Sequence, residues 1–260
     1  MDKTMRMRRL FQKDGRTLIV AMDHVGYSDQ PLPGLEEPIE TVRKVVAGGA
    51  DAVMTTYGTA VRCAAALDDR GLILTVQNQP PMIDVAVEIA LRLGADGIKV
   101  LCYPWYEKDP ESVAHAARLG AECAYWGMPY LVETIPGGFQ AGSDMRTPEK
   151  LAGGARVGAE AGADFIKTFY PSEPQGMRVI ASNCPVPVVV LGGEKTSSDR
   201  ECLEIVHGAI QGGAAGVAMG RNIWGHPDPE RITAAIAQIL HGGATVEQAL
   251  RELEKKFAYG

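Results

Sequence analysis

Two lysines and two carboxylates stand at the ends of otherwise apolar runs. Lys167 closes Ala163-Asp164-Phe165-Ile166-Lys167-Thr168, between Gly162 and Pro171. Lys99 comes late in the run from Ala95 to Leu101, Glu133 in the run from Pro129 to Ile135, and Asp23 with His24 directly after Thr17 to Met22. Charged side chains are costly to bury without a partner or a task. Burial favours the neutral form of a lysine, and only a neutral amine attacks a carbonyl, so Lys167 reads as a Schiff-base candidate. The competing reading is a lysine that snorkels to solvent from a strand end. A carboxylate beside such an amine suits proton transfer at a carbon next to a carbonyl. Asp23 and Glu133 are the candidates, and either could instead form a structural pair with a lysine. Lys99 either pairs with Glu133 or points at a ligand. His24 is a loop hydrogen-bonder or a substrate contact.

The elements that would carry these residues alternate. Apolar runs at Thr17–Met22, Ala50–Thr55, Gly71–Val76, Ala95–Leu101, Pro129–Ile135, Ala163–Thr168, Val186–Leu191 and Ala214–Met219 read as strands. Between them lie helical patterns over Pro38–Ala47, Gly58–Leu67, Met82–Leu93, Pro110–Trp126, the segment opened by Thr147-Pro148, Gln175–Ala181 and Ser198–Gln211, with Pro229–Leu240 after the last strand. Asp109 and Thr147 are the expected N-caps of two of these helices. One local device recurs four times: Gly49-Ala-Asp, Gly94-Ala-Asp, Gly162-Ala-Asp and Gly213-Ala-Ala. Each places a glycine helix cap directly before a buried strand. Eight strand-helix units in strict alternation imply a parallel sheet. At this length they imply an α/β fold of the (β/α)8 TIM-barrel type, a single domain over 1–260 with a short N-terminal extension and an extra helix over Val246–Phe257. A doubly wound open sheet is the rival, but the first loop lacks G-x-G-x-x-G.

In such a barrel the strand C-termini form the active face, which places Asp23, Lys99, Glu133 and Lys167 at one mouth. Gly192-Gly193-Glu194-Lys195 follows strand seven and Gly220-Arg221-Asn222 follows strand eight, where backbone N–H groups often hold phosphate. Gly192, Gly193, Lys195, Gly220 and Arg221 are therefore the expected phosphate contacts, the arginine as a bidentate donor. Taken alone, each Gly-rich turn is also an ordinary strand-to-helix connection. Trp105, Trp126 and Trp224 are expected as packing or pocket walls, and Trp224 and the last helix as contact faces between subunits.

The chain has 260 residues, 46% hydrophobic and 22% charged, and a formal net charge of -6, which argues against nucleic acid and anionic membranes as partners. The basic N-terminus is not followed by the apolar stretch of a signal peptide, and no run approaches the roughly 20 apolar residues of a membrane span. Five scattered cysteines form no C-x-x-C pair, so reduced thiols in the cytoplasm are expected. The five histidines show no metal-ligand spacing, and no metal or cofactor is expected.

Four segments together resemble the DhnA/DeoC/LacD group of class I aldolases, which includes the archaeal-type fructose-bisphosphate aldolases. They are Ala21-Met22-Asp23-His24, Asp164-Phe165-Ile166-Lys167-Thr168, Val190-Leu191-Gly192-Gly193-Glu194-Lys195-Thr196 and Met219-Gly220-Arg221-Asn222-Ile223-Trp224. The resemblance implies a Schiff base on Lys167, Asp23 acting on the scissile hydroxyl, phosphate held by the last two loops, a phosphorylated ketose with dihydroxyacetone phosphate as its ketone half, and homo-oligomers, decamers among them. The archaeal-type enzymes carry a strand-five tyrosine where this chain has Ile135. Glu133 and Lys99 resemble residues of the tagatose-bisphosphate branch. Fructose bisphosphate, tagatose bisphosphate, a sulfosugar phosphate and an amino-dideoxy-heptulosonate synthase reaction all fit. A non-covalent sugar-phosphate isomerase or epimerase using Glu133 as base, and a non-catalytic sugar-phosphate sensor, are the readings outside aldolase chemistry.

Overall fold

The computed structural model describes residues 2–77 and 82–254. Eight strands, β1 (Thr17–Ala21), β2 (Ala52–Thr55), β3 (Gly71–Thr75), β4 (Gly97–Cys102), β5 (Tyr130–Thr134), β6 (Phe165–Thr168), β7 (Val188–Leu191) and β8 (Gly216–Met219), close a parallel barrel in sequence order, with β8 pairing back onto β1. Around it run α2 (Pro38–Ala47), α3 (Tyr57–Cys63), α4 (Met82–Leu93), α5 (Ser112–Trp126), α6 (Pro148–Glu160), α7 (Pro174–Asn183), α8 (Asp199–Gln211) and α10 (Pro229–Leu240). Three helices lie outside that repeat: α1 (Thr4–Leu10), the single turn α9 (Arg221–Trp224) and α11 (Val246–Glu254). The expected end of the last helix, at residue 257, lies outside the described residues.

The recurring Gly-Ala device explains why four strands start later than their apolar runs. Gly49, Gly94, Gly162 and Gly213 have φ between +71° and +95°, which glycine adopts without the clash a Cβ would bring. The next residue, Ala50, Ala95, Ala163 or Ala214, donates its N–H back to the carbonyl five residues earlier in the helix. That is a Schellman closure, so these alanines still belong to the helix end. The residue after them opens the ladder: Asp51 N–H bonds Leu18 O, Asp96 bonds Leu72 O, Asp164 bonds Tyr130 O and Ala215 bonds Val188 O.

Thr147 caps α6 through its hydroxyl, which accepts Lys150 N–H, and Ser198 caps α8 in the same way. Asp109 does not cap α5. That helix starts at Ser112, after Glu111, and makes no side-chain cap; Ser112 Oγ instead accepts Tyr103 N–H at 2.7 Å.

Period two along each strand divides the apolar residues between two cores. The larger lies between strands and helices. The smaller fills the barrel: Ile19, Ala21, Ala52, Met54, Ile73, Leu131, Phe165, Val189 and Ala218. The N-terminal extension belongs to this inner core. Leu10 is fully buried in it, Met7 and Phe11 pack against it, and Phe11 meets Phe165 edge-on at 5.2 Å. Helix α1 thus stoppers the barrel's N-terminal end. Burying a leucine this completely contributes about 1.5–3 kcal/mol relative to an exposed one.

Candidate active site

The inward-facing position nearest the C-terminal mouth comes two residues beyond the inner core on several strands. Leu131 is followed by Glu133, Phe165 by Lys167, Ile73 by Thr75, and Gly97 by Lys99. The register places Glu133 directly beside Lys167 and Thr75 beside Lys99. Asp23 enters from the short 3-10 turn Asp23–Gly26 after β1. Sequence spacing alone puts these residues at one end; closure of the barrel makes them touch.

They form a chain of alternating sign. Lys167 Nζ lies 2.9 Å from Glu133 Oε1, Lys99 Nζ 2.7 Å from Glu133 Oε2, and Lys99 Nζ 3.1 Å from Asp23 Oδ2. Thr75 Oγ1 donates to the same Asp23 oxygen at 2.9 Å. All four charged side chains are at most 6% exposed. Lys167 thus shares the Glu133 carboxylate with Lys99.

Burial by itself would raise the pKa of Asp23, yet the fields of Lys99 and Lys167 outweigh it and hold the carboxyl far below the usual carboxylate range. Glu133 is shifted down by the same balance, with Lys167 first among the opposing charges. Burial opposes the charge on Lys99, but Asp23 and Glu133 more than reverse that and keep it an ammonium. Lys99 sits between two carboxylates, whereas Lys167 is paired with one.

These residues form part of the floor of a cleft of about 770 Å³, whose wall includes Gly192, Gly193, Gly220 and Arg221. Arg221 Nη2 donates to Gly193 O at 2.7 Å, and Arg221 Nε is buried without a hydrogen-bond partner. Asn222 joins the two loops: its Nδ2 donates to Gly192 O at 3.1 Å and Glu194 O at 3.2 Å, and its Oδ1 accepts Thr196 N–H at 2.8 Å. A side chain at Gly220 would strike Ala21 O at 2.5 Å and His24 Cε1 at 2.7 Å, which restricts that position to glycine. Lys195 departs from expectation. It does not line the cleft, and its ammonium donates to Gly225 O at 2.6 Å.

His24 is in the cleft, its ring edge-on to Trp224 at 5.5 Å and its Nδ1 3.7 Å from Asp23 Oδ1 without a hydrogen bond. Burial lowers its pKa, outweighing the pull of Asp23, so the ring favours the neutral form. Trp224 is buried and donates Nε1–H to Ala21 O, which removes it as a contact face. Trp105 and Trp126, by contrast, are exposed and outside the cleft. Ile135 is fully buried and outside it as well.

Tyr27, Tyr103, Arg146 and Phe169 complete the wall, and sequence reasoning missed them. Tyr103 was within reach, because Lys99, Leu101 and Tyr103 continue one inward face of β4. Burial pushes its phenol up to about 12, so it stays protonated. Among the described residues no cluster of three or more His, Cys, Asp or Glu could hold a metal ion, and no helix is long and apolar enough to cross a membrane.

The closed parallel barrel thus sets two buried lysines and two carboxylates at its C-terminal mouth, beside the glycine loops that follow β7 and β8. The chain belongs to the DeoC/LacD family of aldolases, whose family model matches residues 17–226. It is 33% identical over 256 residues to the 2-amino-3,7-dideoxy-D-threo-hept-6-ulosonate synthase of Halobacterium salinarum, covering 95% of each chain. It is 30% identical to the 2-amino-4,5-dihydroxy-6-oxo-7-(phosphonooxy)heptanoate synthase of Streptomyces griseus, covering 94% of this chain and 92% of that one. Among solved structures it resembles an archaeal fructose-1,6-bisphosphate aldolase whose catalytic lysine is covalently bound to the carbinolamine intermediate, with a TM-score of 0.79 and 26% identity over 92% of this chain and 99% of that one. The protein is an aldolase, of the class I family.

Proposed function

We propose that the cleft performs Schiff-base aldol chemistry on a phosphorylated ketose whose ketone half is dihydroxyacetone phosphate, with Lys167 as the nucleophile. The observation that carries this reading is the alternating chain Asp23–Lys99–Glu133–Lys167 beneath the glycine loops. Two ammonium and two carboxylate groups balance, and moving the Lys167 proton to Glu133 keeps them balanced. The freed amine adds to the ketone carbon, and Glu133 returns its proton to the carbinolamine hydroxyl, which leaves as water to give an iminium. Asp23 takes the proton of the hydroxyl two carbons beyond that centre. The carbon–carbon bond breaks, its electron pair runs into the iminium to form an enamine, and the aldehyde leaves. Protonation of the enamine carbon and hydrolysis return the ketone and the lysine. Lys99 stays charged and holds both carboxylates in place. Gly192, Gly193, Gly220 and Arg221 grip the phosphate, and that remote binding energy positions the carbonyl over the amine.

The Streptomyces relative's name describes a phosphonooxy group beside the oxo group, which suits these loops. The Halobacterium relative's name describes a 7-deoxy product, so a dephosphorylated ketone donor is the second reading. Five buried thiols suit a reducing compartment such as the cytoplasm, and a homo-oligomer is the expected assembly, read by light scattering.

A panel of phosphorylated ketoses in EDTA, followed by aldehyde release, tests the proposal. Release from at least one ketose that can yield dihydroxyacetone phosphate is expected. Turnover that survives Lys167→Arg would point instead to the non-covalent isomerase or epimerase, because arginine keeps the charge but forms no imine.

A further inference from the structure

Arg146 enters the cleft on the side away from the phosphate loops, after the short turn Ser143–Met145 that follows β5. Its guanidinium is held on two carbonyls, Nη1 donating to Pro136 O at 2.7 Å and Nη2 to Gly138 O at 2.6 Å. It lies over the Phe169 ring, its central carbon 4.4 Å from the centroid. Phe169 comes two residues after Lys167, so Arg146 is stacked on the rim just above the amine. No carboxylate forms an ion pair with it among the described residues; the charge that acts on it is the exposed Asp144 in its own turn. A half-buried, rigidly held guanidinium facing a cleft with no counter-ion is built to accept one.

The direction of the substrate identifies which part would supply it. A ketose anchored by its phosphate at β7 and β8 and by its ketone carbon at Lys167 continues away from those loops, toward β5 and the rim. We infer that Arg146 binds an anionic oxygen group, a carboxylate or a phosphate, carried by the aldehyde half at the end remote from its carbonyl. Arg146 is thus a specificity residue for the acceptor. The inference rests on the Schiff-base reading and assigns the half of the substrate that reading leaves open.

The test uses the full chain in the synthetic direction with dihydroxyacetone phosphate as donor. Acceptors come in pairs matched in length: glyceraldehyde 3-phosphate with glyceraldehyde, and succinic semialdehyde with butanal. The wild type should favour the charged member of at least one pair, and which pair responds separates phosphate from carboxylate. Arg146→Met should cut the charged-to-neutral ratio of kcat/KM by about 10- to 100-fold, the worth of a hydrogen bond to a charged group. Arg146→Lys should retain part of the preference, and it carries the test alone if the methionine variant does not fold. A ratio that stays put in the variants, or a wild type indifferent to charge in both pairs, overturns the inference. Borohydride trapping of the wild type with the donor alone runs in parallel. Label on the enzyme with an unmoved ratio defeats only the role of Arg146, whereas an unlabelled enzyme defeats the Schiff-base reading beneath it.

Discussion

At the N-terminal end of the barrel, Asp51, Asp96 and Asp164 each accept the backbone N–H of a neighbouring strand, from Leu18 at 2.6 Å, Leu72 at 3.2 Å and Tyr130 at 2.8 Å. Each also takes a side chain from the N-terminal segment: Gln12, Arg9 and Lys3 respectively. At the C-terminal end, Asp23 and Glu133 touch no backbone donor among the described residues; their partners there are Lys99, Lys167 and the Thr75 hydroxyl. Each lower carboxylate is bolted to a backbone N–H, which does not titrate. The upper ones are tied chiefly to other titratable groups, so a proton can move along the set without leaving a backbone donor unsatisfied. Charge at the lower end is construction, and at the upper end it is the chemistry we propose.

Substitutions separate the two ends. The largest effect is expected at Lys167, where methionine should lower kcat on the order of 10⁴-fold or more with the barrel still folded, as removal of a covalent nucleophile does. Circular dichroism beside initial rates reads both halves of that statement. Glu133→Gln should cost 10²- to 10⁴-fold, as loss of an acid–base group does. It should also destabilise by about 3–5 kcal/mol, because two lysines then share one charged partner fewer. At the lower end Leu10→Ala should cost about 2–5 kcal/mol in urea unfolding while kcat stays within twofold or so, since the change opens a cavity far from the cleft. An Leu10→Ala enzyme as inactive as the Lys167 variant would erase the distinction between the ends.

The smallest effect concerns pH. His241 lies between Asp51 at 3.0 Å and Asp14 at 2.8 Å, and the bond to Asp51 raises its pKa, outweighing burial. Its stabilisation is therefore complete below the unfolded value of about 6.5 and is lost as pH rises through the higher folded value. Asp23 and Glu133 are shifted down, so their contribution is complete above the unfolded carboxylate values of about 4 and disappears as pH falls through the lower folded ones. Melting curves should show His241→Gln removing the loss of stability on the alkaline side while the acid-side loss set by Asp23 and Glu133 remains.

Much of this was legible in the chain, and the rest failed for definable reasons. Strict alternation of apolar runs and glycine-capped helices announces the barrel, and ionisable residues at strand ends announce the mouth. The aspartates after Gly-Ala were visible as a motif, but spacing does not reveal that each reaches across to a neighbouring strand. Helix α1 was missed because seven residues carry too little periodicity, and the strands it packs on, β3 and β4, lie far along the chain. Lys195 was expected at the phosphate because a loop residue can face either way, and only the nearby Gly225 carbonyl decides it. Asn222 is held by backbone carbonyls remote in sequence and Arg146 by carbonyls across its own loop, which no local pattern encodes.

The chemistry proposed for the cleft depends on the amine of Lys167. Dihydroxyacetone phosphate and borohydride added together, followed by peptide mapping of the inactivated protein, test it most directly. A stable reduced adduct on Lys167 is expected, with none on Lys99 and no inactivation when the ketone is left out. An adduct confined to Lys99, or full activity after reduction in the presence of the ketone, would contradict it.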